Sequence, residues 1–313
     1  MHSTANDAPL SPPPSASSAT PDLLASAPAA LLERLAAFPA RRVSTRVGVI
    51  GYREAGASTA GTPLVLLHGI GSGAPSWLAQ LEALGAAHRV LAWDAPGYGE
   101  SAPLAAREPV AADYADALAA WLDALAIERV LLVGHSLGAV MAGAFARVAP
   151  QRVSGLLLCS PAAGYGAASA EQRAAKRDAR LALLESLGPA GLAAQRSANL
   201  LAPHAEPGAR AWVQWNMARI VPDGYRQATH LLAQADLAAD LTDYAGPVEV
   251  VVGAADAITP PAACEPIAAA ARVPLQRIEG AGHACYIETP SSLNALIEAL
   301  SRRANASASA SKS

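Results

Sequence analysis

Apolar residues along this chain fall into two alternating patterns. Short unbroken blocks at Pro63–Leu67, Arg89–Trp93, Val130–Val133, Gly155–Cys159, Val248–Val252 and Leu275–Ile278 have the length and composition of strands buried on both faces. Helical spacing marks Trp77–Leu84, Tyr114–Leu125, Ala139–Val148, Ala262–Ala271 and Ser291–Arg302. Nearer the start, Asp22–Phe38 reads as a short amphipathic helix. Arg42–Ile50 and Tyr52–Glu54 read as an antiparallel pair joined at Gly51. Alternation of strand and helix predicts right-handed crossovers and a mostly parallel sheet covered on both sides.

The alternation stops from Ala162 to Asp240. Helical patterns there run over Glu171–Ser186, Gly191–Leu201, Gly208–Ile220 and Tyr225–Leu237, punctuated by Pro189, Pro203, Pro207 and Pro222. An all-helical block between two strands predicts a cap, residues 162–240, over the sheet's C-terminal edge. The core is then assembled from residues 22–161 and 241–303.

Composition adds boundaries to this picture. A chain of 313 residues accommodates one domain plus an insertion. A net charge of -3 gives no electrostatic reason to expect nucleic acid or an anionic membrane as partner. Hydrophobic content of 52% is inflated by alanine, and no run reaches the roughly 18 apolar residues that span a bilayer. Cys159, Cys264 and Cys285 lack CxxC spacing, which suggests neither a disulfide framework nor a zinc site and leaves them as buried, inert thiols. The Ser-, Pro- and Ala-rich start, residues 1–21, has no secretory signal pattern; it is expected to be disordered, like the tail 304–313. A cytoplasmic enzyme with a small-molecule substrate and no cofactor or metal is the expectation.

The candidate chemistry starts at Gly134-His135-Ser136-Leu137-Gly138, which joins an apolar strand directly to a helix. So tight a turn strains its central residue and pushes the Ser136 hydroxyl out of the sheet at the positive end of a helix. A serine needs a base, usually histidine, held in one tautomer by a carboxylate. On such a sheet the order is serine, acid, histidine, each on a loop after a strand. Asp256 follows Val248–Val252, whereas Asp236, Asp240 and Asp243 precede that strand. His283, in Gly280-Ala281-Gly282-His283, follows the last strand; His68 and His135 flank the site and are read as structural. The backbone N–H groups of Leu137 and of Ile70, in the His68-Gly69-Ile70-Gly71 turn, are the candidate oxyanion donors. That turn lacks the Lys-Ser/Thr ending of a P-loop and the spacing of a dinucleotide site.

The chain resembles the α/β-hydrolase superfamily, in its cap-bearing branch of serine esterases, lactonases and carbon–carbon hydrolases. The matching pieces are His68-Gly69-x-Gly71 with Trp77, Asp94-x-Pro96-Gly97-x-Gly99-x-Ser101, Gly134-His135-Ser136-Leu137-Gly138, Gly253-x-x-Asp256-x-x-x-Pro260 and Gly282-His283, spread over Val43 to Ala299. The resemblance implies an eight-stranded, mostly parallel sheet whose second strand is antiparallel. It implies a Ser136–His283–Asp256 triad acting on an ester, thioester or lactone through an acyl-enzyme. Serine at the turn argues against the epoxide hydrolases and haloalkane dehalogenases, which carry aspartate there. Carbon–carbon hydrolysis of a vinylogous diketo acid stays open as the alternative, with Arg196 or Arg219 as candidates for a cap arginine. Cofactor-free perhydrolysis and a receptor with residual hydrolysis are further alternatives. Trp77, Trp212, Trp215, Met217 and Arg219 are the candidate substrate-binding residues.

Overall fold

The computed structural model describes residues 29–56 and 61–310. Its centre is an eight-stranded sheet in the order β1-β2-β4-β3-β5-β6-β7-β8. The strands are β1 (Arg41–Thr45), β2 (Gly48–Ala55), β3 (Leu64–Leu67), β4 (Val90–Trp93), β5 (Val130–His135), β6 (Val153–Cys159), β7 (Val248–Gly253) and β8 (Leu275–Ile278). β2 is antiparallel to both β1 and β4, and every other pairing is parallel, as the sequence led us to expect. β3, β4, β5 and β6 are buried at every position, the signature of central strands with helices on both faces.

The hairpin is the first point of difference. β1 and β2 turn at Arg46-Val47, not at Gly51, which pairs with Arg42 inside the ladder. The Thr45 hydroxyl donates to the Gly48 carbonyl at 2.7 Å and accepts from the Val47 N–H at 3.2 Å, which closes the turn locally. A glycine stands at 51 for close approach instead: a Cβ there would lie 2.5 Å from Glu100 Cβ.

Helices α1 (Ala29–Ala36), α2 (Leu78–Leu84), α3 (Ala111–Ala124), α4 (Leu137–Val148), α9 (Pro261–Ala270), α10 (Cys285–Glu288) and α11 (Pro290–Ala310) accompany the sheet. Between β6 and β7 lie α5 (Ala170–Arg196), α6 (Pro207–Ala218), α7 (Pro222–Gln234) and α8 (Leu237–Leu241). These form the helical insertion. α5 is interrupted at Gly188 (φ 60, ψ 178), next to Pro189, where the sequence predicted a break. At the ends, one expectation is untested and one is revised. Residues 22–28 of the first predicted helix, and the tail 1–21, lie outside the described residues. The tail predicted from Ala304 is instead helical to Ala310, because its alanines favour continuation of α11.

The insertion docks on the core through backbone contact. Gly224, in the first turn of α7, sits so close to Gly97 that a Cβ on it would lie 2.0 Å from the Gly97 carbonyl oxygen. Gln227, one turn on, donates to the Leu104 and Ala106 carbonyls, each at 2.8 Å, and accepts from the Leu104 N–H at 3.1 Å. Gly224→Ala is expected to push α7 off this loop and destabilise the protein by about 1–3 kcal/mol. Thermal melting of the variant checks it; an unchanged midpoint would contradict this contact.

Candidate active site

Ser136 stands between β5 and α4 with φ 52 and ψ -111, a left-handed backbone that a non-glycine residue holds only when its surroundings enforce it. The enforcement is visible on both sides. The Ser136 N–H donates to the Cys159 carbonyl at 3.0 Å, while its own carbonyl accepts from the N–H groups of Ala139 (3.1 Å) and Ala162 (3.2 Å). A Cβ on Gly138 would lie 2.1 Å from the Leu67 carbonyl oxygen, and one on Gly134 would lie 2.5 Å from the Gly138 carbonyl oxygen. The glycines of the motif are thus fixed by the approach of β3 and by the turn itself.

Asp256 and His283 meet, as their order along the chain suggested. His283 Nδ1 lies 2.9 Å from Asp256 Oδ2, with the two side chains 3% and 0% exposed. The other carboxylate oxygen, Oδ1, accepts from the N–H groups of Ile258 (2.8 Å) and Thr259 (2.9 Å). One aspartate therefore both shapes its own turn and presents an acceptor to the imidazole. Burial pushes the Asp256 carboxyl up. The hydrogen bond and charge of His283, with the two amides, outweigh burial and hold it below the usual range. Thr259 Oγ1 is 3.1 Å from His283 Nδ1, 3.0 Å from Asp256 Oδ2 and 3.1 Å from the Ser160 carbonyl, a further clamp that the sequence reading missed.

With Nδ1 donating to Asp256, Nε2 of His283 is left as an acceptor. Ser136 and His283 line one cavity of about 490 Å³. Among the described residues no hydrogen bond joins their side chains. The His283 loop is held from below: Glu288 accepts from the N–H groups of Gly282 (2.8 Å) and Ala202 (2.7 Å), and the Ala284 N–H donates to the Leu200 carbonyl at 2.8 Å. The loop is thereby tied to the insertion.

The two candidate oxyanion donors both have backbone N–H groups without a described partner. Leu137 heads α4, where an amide has no intrahelical partner, and Ile70 lines the cavity beside Gly69 and Gly71. Neither N–H donates to another described residue. His68 is structural: Nδ1 donates to the Gly69 carbonyl at 2.8 Å and Nε2 accepts from the Ala95 N–H at 3.0 Å. His135 holds the His283 carbonyl through Nε2 at 2.9 Å. Burial, then the neighbouring His283 charge, push its pKa down to about 3, so it stays neutral.

The predicted substrate-binding set needs the largest correction. Met217 lines the cavity, but Trp77, Trp212, Trp215 and Arg219 do not. Trp77 is buried against Tyr286, with ring centroids 4.3 Å apart. Trp212 stacks on Trp215 at 4.8 Å and 4°, and the Arg219 guanidinium lies 4.7 Å over Trp215. The reason is helix phase. Val213, Asn216 and Met217, spaced i, i+3 and i+4, form the face of α6 that turns to the cavity, and Ile220 continues the lining just past the end of the helix. Trp212 and Trp215 lie on another face, with Arg219 at the C-cap, and Trp212 packs with Leu35 and Leu78. That periodicity was available in the sequence. The Arg180 and Tyr225 lining was not, because it depends on how α5 and α7 cross.

A sheet of this order, with its serine at the β5–α4 corner, defines the α/β-hydrolase architecture. Residues 64–296 match the alpha/beta hydrolase family, and the chain belongs to it. A thermophilic esterase from Thermogutta terrifontis, solved with malate bound, is similar at a TM-score of 0.75 and 27% identity, covering 85% of this chain and 99% of that one. A hydrolase from Pseudomonas aeruginosa gives a TM-score of 0.71 and 28% identity over 83% of this chain and 97% of that one. The enol-lactonase of Burkholderia xenovorans, 23% identical with a TM-score of 0.71, shares the fold over 83% of this chain and 99% of its own. Curated relatives align over a shorter part. The dihydrolipoyllysine-residue acetyltransferase component of the acetoin cleaving system of Pseudomonas putida is 44% identical over 108 residues, 34% of this chain and 29% of that protein.

The lowered Asp256 pKa has a measurable consequence. A carboxylate whose folded-state pKa is depressed adds stability above its unfolded pKa, about 4, and loses it as pH falls through the lower folded value. The stability difference between wild type and Asp256→Asn should therefore move against the wild type as pH falls below about 4. Urea unfolding of both across that range is the check; a difference independent of pH down to acid unfolding would contradict the pairing with His283.

Proposed function

We propose that the protein is a serine hydrolase cleaving a small or medium carboxylic ester, thioester or lactone through an acyl-enzyme. The observation that carries this reading is the strained serine at the sharp corner, lining the same cavity as a histidine whose far nitrogen lies 2.9 Å from a buried aspartate. His283 takes the Ser136 proton as the hydroxyl attacks the carbonyl carbon. Asp256 holds the ring and offsets its positive charge. The N–H groups of Leu137 and Ile70 take the developing oxyanion. His283 then protonates the leaving alcohol or thiol and activates water to release the acid. The esterase and hydrolase likenesses support the same reading. No step requires a metal or an organic cofactor.

Purified protein is expected to turn over a short-chain nitrophenyl ester. Ser136→Ala and His283→Ala should each lower kcat by about 10⁴-fold or more, and Asp256→Asn by about 10³–10⁴-fold. Wild-type protein that leaves such esters and thioesters untouched would favour a receptor instead.

One observation favours a second reading, hydrolysis of a carbon–carbon bond in an acid-bearing substrate. Arg180 and Arg196 line the cavity, and neither forms an ion pair among the described residues. Burial works against the Arg180 charge, but the Tyr225 and Tyr165 hydroxyls beside it outweigh that and keep it protonated. An unpaired guanidinium at a cavity wall suits a substrate carboxylate. For a vinylogous diketo acid against a neutral nitrophenyl ester, kcat/KM decides between the readings: preference for the diketo acid by orders of magnitude would replace the first. Arg180→Met should lower the acid-to-neutral ratio by about 10–100-fold if the guanidinium binds the acid group.

A further inference from the structure

Two of the chain's 3 cysteines come together below the site. Cys159, the last residue of β6, and Cys285, the first of α10, have their sulfurs 3.1 Å apart, and both side chains are fully buried. Atoms of this size in ordinary non-bonded contact stand further apart. Closing the gap to a disulfide length of about 2.05 Å takes a movement of about 1 Å. Both positions are ends of elements, where a small rotation about the side chain disturbs no ladder pairing beyond Cys159 with Val251 and His135.

We propose that Cys159 and Cys285 form a native disulfide when the chain folds in the presence of a disulfide oxidant. The proposal is independent of the chemistry assigned to Ser136. One cysteine thiolate attacks the oxidant's S–S bond and expels one thiolate, leaving a mixed disulfide. The second cysteine thiolate attacks the sulfur held by the chain and expels the other. The two cysteines are oxidised, one oxidant disulfide is reduced to two thiols, and the two cysteine protons end on those thiols.

The chemistry belongs to the folding chain rather than to the closed protein. The hydrogen bond to Cys285, then burial, hold the Cys159 thiol well above the ordinary range, so thiolate is scarce once the core closes. Neither sulfur lines the cavity. Cys264 is the odd thiol: its sulfur is engaged with the Thr259 carbonyl at 3.4 Å, and burial pushes it up to about 12.

The link would bear on the site directly. The Cys159 carbonyl receives the Ser136 N–H at 3.0 Å, and Cys285 follows His283 by two positions in the loop that Glu288 grips. The bond would therefore tie the strand that secures the serine to the loop that carries the histidine. It would also close a loop spanning 126 positions that includes the whole insertion, which restricts the unfolded chain strongly.

The test refolds the full chain from denaturant in a mixture of oxidised and reduced glutathione and, in parallel, in excess reductant. The oxidised product is expected to be lighter by about 2 Da, to yield a Cys159–Cys285 linked peptide on proteolysis, and to titrate one thiol in denaturant. Its melting midpoint should exceed that of the reduced form by on the order of 5–10 °C. Cys264→Ser should keep the bond and the shift, whereas Cys159→Ser should lose both. Thiols that all stay free, glutathione adducts on Cys159 or Cys285, or a linkage to Cys264 would each overturn the proposal.

Discussion

The structure depends on one strained residue and on what holds it there. A left-handed backbone at a non-glycine position costs about 1–3 kcal/mol, and Ser136 sustains it through three hydrogen bonds to its own peptide groups. Those bonds draw on β6, on α4 and on the segment entering the insertion. The fit of Gly138 against the Leu67 carbonyl draws on β3. Sheet order places β3 and β6 on either side of β5, so the corner is assembled only when its neighbours in the sheet are in place. The strain is then an outcome of tertiary packing. It serves to lift one hydroxyl clear of the strand and to leave helix-end amides beside it.

A second set of contacts governs the imidazole. Asp256 supplies one oxygen to its own turn and the other to His283, and Thr259 spans Asp256, His283 and Ser160. From the other side, Glu288 and the Leu200 carbonyl connect the His283 loop to the insertion. The cavity wall contributed by α5, α6 and α7 and the imidazole that lines that cavity thus share anchors. Movement of the insertion cannot be mechanically separate from the position of the ring.

Much of this was legible along the chain because it rests on local patterns. Buried strands announce themselves as unbroken apolar runs, and Gly134, Ser136 and Gly138 carry the geometry of their turn in their spacing. The serine, acid and histidine order follows from which loops leave the same sheet edge. The turn at Arg46-Val47 was misplaced because Gly51 looked like a breaker, while its reason for being glycine, the approach of Glu100, lies 49 positions away along the chain. Aromatic residues in the insertion invited a pocket reading, yet Trp212 and Trp215 face α1 and α2 and the smaller Val213 and Asn216 face the cavity. Size and aromaticity said nothing about helix phase. Arg180, Thr259 and the Cys159–Cys285 contact could be seen only once distant segments had been brought together in space.

The central claim, a Ser136 nucleophile made reactive by His283, is tested most directly by the intact mass of the protein after brief exposure to a fluorophosphonate. The account predicts one added phosphonyl group per chain, mapped to Ser136, and strongly slowed labelling in His283→Ala. A wild-type protein that takes up no label, or carries it on another residue, would contradict the account.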